Sequence, residues 1–211
     1  FKYKYKYDFL KKQYGGKFYI NPAVKLELVE RPSKIRRFEF EALQVMKLIR
    51  EGTLEVYNDD VSTEAKKLQV IANSAFRVKG KKMDIIQSGE MESVVAAMKT
   101  GSNTMVMDER TLKLFIEDSK QLEKLLEFRF KNPVETDISK RDLFSTQLKD
   151  IKIIRSIELV SVAYKLGILK NYLPPGKDGK SKLLDAVLWA TKYNGCAVTE
   201  QEINEIKASL L

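Results

Sequence analysis

The sequence predicts an α/β fold: a parallel sheet covered on both faces by helices, with further helices at the C-terminal end. Three observations carry this. Short apolar runs alternate along the chain with longer amphipathic segments, the pattern of successive strand–helix units. Hydrophobic residues make up 44% of the 211, enough to build a sizeable core. Charged residues reach 32% but are mixed in sign, which suits a folded and solvated surface better than a disordered chain.

The elements follow in order. Residues 1–7 alternate aromatic and basic side chains, a strand period, although the segment can equally open a helix through Lys12 that ends at Gly15-Gly16. Lys17-Phe18-Tyr19-Ile20 is a short strand stopped by Asn21-Pro22, and Pro22 suits the first turn of a helix. Residues 36–51 predict an amphipathic helix with Phe38, Leu43, Met46, Leu48 and Ile49 on its core side, ended by Gly52. Leu54 to Tyr57 is a strand. Ser62 or Thr63 caps the next helix, whose buried face is Leu68, Ile71, Ala72 and Ala75. A basic loop follows, with Arg77, Lys79, Lys81 and Lys82.

Ser88 is expected to cap a helix that runs to Thr100 and closes at Gly101. Asn103 to Met107 is an apolar strand ending at Asp108. Residues 111–130 read as one helix carrying Leu112, Leu114, Phe115, Leu122, Leu125 and Leu126, and 131–150 is polar without a clear period. Ile151 to Ile154 is a strand, Ser156 to Leu169 a helix, and residues 181–193 another helix beyond a Pro/Gly loop. Thr199 opens the last helix, with Glu202 completing a capping box.

Composition removes whole classes of chemistry. The single cysteine, Cys196, excludes an internal disulfide and a thiolate zinc site. The absence of histidine excludes Ser-His-Asp and Cys-His catalysis and all imidazole ligation. Carboxylates, lysines, hydroxyls and oxygen-held metals remain. The net charge of +9 attracts polyanions, chiefly nucleic acid or an anionic membrane, although many lysines serve only solubility. No apolar run approaches the roughly 20 residues of a membrane span and no secretory signal is visible, so a cytoplasmic protein is expected.

In a parallel sheet, sites form at the carboxyl ends of the strands. Glu27 follows the strand at 17–20, Glu90 and Glu92 stand at the start of the helix after Ser88, and Asp108 with Glu109 ends the strand at 103–107. Carboxylates gathered at one sheet edge hold Mg²⁺ or Mn²⁺, which activates water and stabilises charge on a phosphodiester. The ordinary alternative is that glutamates near helix starts answer the helix dipole.

Gly89-Glu90-Met91-Glu92-Ser93-Val94-Val95-Ala96-Ala97, followed by Thr104-Met105-Val106-Met107-Asp108-Glu109-Arg110, resembles the central motif of PIN-domain proteins, in the archaeal and bacterial subgroup with a Gly-Glu-x-Glu helix. Upstream, Ile20-Asn21-Pro22-Ala23-Val24-Lys25-Leu26-Glu27-Leu28 is similar to the family's strand, Pro-x-Val turn and Glu-Leu helix. Downstream, Ile153 to Leu159 and Ala163 to Leu169 resemble its closing strand and helix.

The resemblance covers residues 17–170. It implies a three-layer α/β/α sandwich with a central parallel sheet over 1–170, an insertion at about 111–150, and a C-terminal helical extension at 171–211. It further implies metal-dependent hydrolysis of RNA, as in toxin–antitoxin ribonucleases. Glu27, Glu92 and Asp108 match acidic catalytic and metal-site positions, Glu109 stands where a second Asp is usual, and Glu90 and Ser156 match outer positions. A two-residue step turns a helix by roughly 200°, so Glu90 and Glu92 cannot share one cleft, and Glu92 is expected to face it. The family's first strand ends in an Asp that anchors the metal. Asp8 stands too close to Lys17 to supply it, so that strand is expected upstream of Phe1, or the site is incomplete.

Lys2, Lys4, Lys6, Arg77, Lys79, Lys81, Lys82 and Arg110 are the residues expected to contact nucleic acid. A non-catalytic nucleic-acid-binding or assembly module is the competing expectation. A third is a homodimer or protein partner docked on the C-terminal helices, where Val187, Leu188, Trp189 and Ala190 are apolar.

Overall fold

The computed structural model describes residues 16–211 and is a mixed α/β protein in which helices dominate. Lys2, Lys4, Lys6 and Asp8 lie outside the described residues.

Strand β1 (Phe18–Ile20) pairs in parallel with β2 (Leu54–Val56), Phe18 opposite Leu54. Strand β5 (Thr104–Val106) pairs in parallel with β7 (Lys152–Ile154), Thr104 opposite Lys152. The parallel pairing expected from strand–helix alternation is present, as two separate ladders. Helix α8 (Ser156–Lys165) packs on both: Leu159 is buried against Phe18 of β1 and Ile154 of β7.

Helix α1 (Pro22–Lys25) starts directly after β1 and passes into a π-helical turn over Leu26–Glu30. Asn21 caps it, its Oδ1 accepting the Val24 N–H at 2.7 Å. Helix α2 (Glu39–Arg50) buries Ala42, Val45 and Leu48. The core side expected from the sequence is corrected here: Phe38, Leu43 and Met46 are 42%, 51% and 45% exposed. The helix has apolar residues on both sides, and the side that packs carries the fully buried Ala42 and sets Val45 and Leu48 in one cluster with Val29 and Leu54.

Helix α3 (Ser62–Ala75) runs straight into β3 (Phe76–Val78), which turns through Lys79-Gly80 into β4 (Lys81–Lys82). Lys79 and Gly80 have φ of 51° and 72°, the left-handed pair of a two-residue hairpin turn. The basic loop expected at 77–82 is therefore a hairpin. On its other edge β3 pairs antiparallel with β6 (Val134–Thr136), Phe76 opposite Thr136.

Helix α4 (Ser88–Lys99) is capped by Gln87 and not by Ser88; the Glu90 carboxylate reaches back to the Gln87 N–H at 2.9 Å. The single helix expected at 111–130 is two, α5 (Arg110–Glu117) and α6 (Ser119–Phe130). The break falls at Asp118, whose Oδ1 accepts the Gln121 N–H at 3.0 Å and so caps the second helix. Helix α7 (Ile138–Gln147) occupies the stretch without a period; Phe144 is the one residue it buries.

The main core joins α3, α4 and the helices of the 111–150 segment. Phe76, Phe115 and Phe144 form a chain of rings, with centroids 5.1 and 4.3 Å apart. A second cluster lies under α8, α9 (Gly179–Tyr193) and α10 (Glu200–Leu210), built from Ile157, Leu184, Leu188, Cys196, Val198 and Ile203. The capping box of Thr199 and Glu202 opens α10 as expected. Among the described residues no helix is long and apolar enough to cross a membrane.

Candidate acidic site

The carboxyl end of β1 abuts the first turns of α4. Asn21 is 2% exposed, and its Nδ2 donates to Ser93 Oγ at 3.1 Å while Ser93 donates to Gly89 O at 2.9 Å. Asn21 thus occupies the carboxyl end of the first described strand, while the strand on which the resemblance places its aspartate is expected upstream of Phe1. Asn21 is a neutral amide with both polar atoms engaged.

Glu90 stands beside this junction, half-buried in the first turn of α4. Burial, first, pushes its carboxyl up to about 7; the charges of Glu109 and Glu27 push the same way, and the Gln87 N–H opposes them. Carboxylates from the π-helical turn after α1, from α4 and from the β5–α5 junction therefore share one negative neighbourhood. Glu27 is exposed and has no ion-pair partner among the described residues. Glu92, expected to face the cleft, is half-buried on α4 but is not among the charges acting on Glu90. Glu90, at position three of the helix, reaches back to the Gln87 N–H at the helix N-terminus.

The acidic pair after β5 is committed to helix starts. Glu109 Oε2 accepts the Leu112 N–H at 2.6 Å and caps α5. Asp108 Oδ1 accepts the Ser156 N–H at 2.6 Å, at the start of α8. Ser156 thus meets the acidic edge through its backbone. The Cys196 thiol is pushed up to about 11, by burial first and by its hydrogen bond with Asp108 next.

Behind the acidic edge lies a polar network that sequence inspection missed. Arg155 is 7% exposed. It donates to Glu158 Oε1 at 3.3 Å, to Glu202 Oε1 at 3.2 Å and to Ala197 O at 3.1 Å. Lys113 donates to Ile153 O at 2.6 Å and pairs with Glu158 at 3.0 Å. The available signal was a lone arginine directly after the apolar run Ile153-Ile154, where an exposed loop residue is the ordinary expectation. Arg110, expected on nucleic acid, pairs with Glu202 at 3.8 Å.

Among the described residues no group of three histidine, cysteine, aspartate or glutamate side chains is close enough to hold one ion. The donor chemistry nevertheless suits a hard cation, since Mg²⁺ keeps several waters and binds through one or two carboxylates. The expected basic residues Lys79, Lys81 and Lys82 are exposed on the hairpin, and Arg77 is half-buried opposite Glu135. Compared with known proteins, the chain matches no family model, no curated protein and no solved structure.

Proposed function

We propose that the protein is a PIN-type, divalent-metal-dependent ribonuclease acting in the cytoplasm, with its site at the acidic edge. The observation that supports this is that Glu90, whose carboxyl burial pushes up to about 7, also feels the negative charges of Glu109 and Glu27 from two other segments. Mutual repulsion of this kind is relieved by a cation. Glu90 and Glu109 would hold Mg²⁺ or Mn²⁺, which would supply an activated water and charge stabilisation for a phosphodiester. Asp108, fixed on the Ser156 N–H, keeps the start of α8 against the strand end. Glu27 is exposed and open to solvent, where it can orient an incoming water. Glu90 accepts a metal once it has lost its proton, so cleavage should rise through neutral pH.

The test is cleavage of labelled RNA by the purified chain with and without Mn²⁺. Glu90→Gln and Glu109→Gln are expected to abolish metal-dependent cleavage, with Glu92→Gln weaker in effect. Activity untouched by the first two would remove the assignment.

A second reading, a catalytically incomplete nucleic-acid-binding or protein-interaction module, has its own observation: Asn21 offers an amide and not a carboxylate at the end of β1. Asn21→Asp discriminates the two. The new carboxylate keeps the Val24 N–H, and the Ser93 hydroxyl can rotate to donate to it. If the wild type is inert and Asn21→Asp gains Mn²⁺-dependent cleavage, the incomplete-site reading holds.

A further inference from the structure

The structure brings the β3–β4 hairpin against the end of α6 and leaves a cleft between them with a cavity volume of about 380 Å³. That lies within the range of roughly 300–1,000 Å³ typical of small-ligand clefts. Val78 and Ile85 give it apolar walls, and Phe130, 40% exposed, contributes an aromatic ring. Lys81 and Lys82 line it too, both exposed and neither ion-paired among the described residues. Asp84 is the one carboxylate of the lining.

Charge around the cleft is mostly positive. The Arg129 guanidinium lies 5.7 Å from the Phe130 ring centroid. Lys79 at the hairpin tip and Lys131 after the ring are exposed without ion-pair partners among the described residues. The nearby acids are partly spent: Glu127 accepts the Val134 N–H at 3.4 Å, and Glu135 stands opposite Arg77 across the sheet. A half-exposed ring beside unneutralised lysines is the arrangement that holds single strands, bases stacking on the ring while ammonium groups take phosphates.

We propose that this cleft binds single-stranded nucleic acid, one base stacking on Phe130 between Val78 and Ile85, with adjacent phosphates on Lys81 and Lys82. Duplexes are excluded because their bases are not free to enter. The site deepens the ribonuclease reading by giving the substrate an anchor away from the acidic edge. It rests on that reading only for the identity of its ligand as substrate, since stacking and phosphate contact need no metal.

The test is fluorescence anisotropy with labelled oligouridylate in EDTA, where cleavage cannot interfere. Phe130→Ala should weaken binding by about 5- to 100-fold, with an unchanged salt slope. Phe130→Trp should restore it, and Phe130→Leu, which keeps apolar bulk, should not. The double variant Lys81→Ala, Lys82→Ala should lower the magnitude of the log–log salt slope by about 1.4. Equal affinity of the wild type, Phe130→Ala and Phe130→Leu overturns the proposal, as does equal binding of duplex RNA or of polyglutamate. Because metal is absent, a chain that cleaves RNA but fails here loses only this site. A chain that binds here but never cleaves loses only the nuclease assignment.

Discussion

Replacing Arg155 by methionine removes a guanidinium that is 7% exposed and bonded to Glu158, Glu202 and Ala197 O. Removing one member of a buried ion pair costs about 3–5 kcal/mol, because the partner is left without its counter-charge. Here the loss is reduced. The Glu158 and Glu202 side chains are 35% and 24% exposed, and they keep Lys113 and Arg110. The unpaired Ala197 carbonyl adds about 1 kcal/mol. A net cost of about 3 kcal/mol is expected, read as a lower urea midpoint with an unchanged slope. Arg155→Lys should recover less than half of it, since an ammonium cannot fork between two carboxylates and a carbonyl. A shift below about 0.5 kcal/mol for Arg155→Met, the range of an ordinary surface change, would refute the role given to this network.

Other outcomes follow from named contacts. Glu90→Gln should stabilise the fold at alkaline pH: the folded carboxyl titrates near 7 against 4.5 unfolded, so wild-type stability falls as pH rises between those values. The limit is about 3 kcal/mol at 1.36 kcal/mol per pH unit, and parallel urea curves for the two proteins at pH 4.5 and 8 check it. Phe144→Ala should cost about 3–5 kcal/mol by emptying the fully buried end of the ring chain that packs on Phe115, visible by calorimetry. The Cys196 thiol, buried and pushed up to about 11, should resist a thiol-disulfide reagent at pH 8 until denaturant is added. Labelling of the native protein at the unfolded rate would contradict that burial.

Much of the fold was legible where one local signal acted alone. Pro22 after a short apolar run, Thr199 with Glu202, and the alternation of strands with helices all found their places. The misses have physical reasons. Lys79-Gly80 looked like part of a basic loop because lysine seldom adopts the left-handed region, yet it forms a hairpin turn. Helix α7 buries only Phe144 among its ten residues, so it leaves almost no periodic trace. In α2 two apolar faces compete, and only packing chose the face of Ala42. The acidic residues near the strand ends were visible in the sequence, but the cap formed by Glu90 at the start of α4 was not. Helix spacing separates Glu90 from Glu92, and the structure commits Glu90 to the cap of α4 through the Gln87 N–H. Arg155 was invisible for another reason: its partners lie up to 47 residues away.

The separation of the two apolar clusters has a consequence for cooperativity. The α9–α10 hairpin rests on its own small cluster with Ile157 and Tyr164 of α8, and meets the remainder through the pairs of Arg155 and Arg110 with Glu202 and through Cys196 with Asp108. Such an arrangement is expected to open as a separate unit, with amides exchanging at a lower free energy than those of α3 and α4. Because Asp108 meets Cys196 at that seam, each opening would uncover the acidic edge from behind. The expected signature is faster amide exchange in α9 and α10 than in α3 and α4, whatever the stability of the main core.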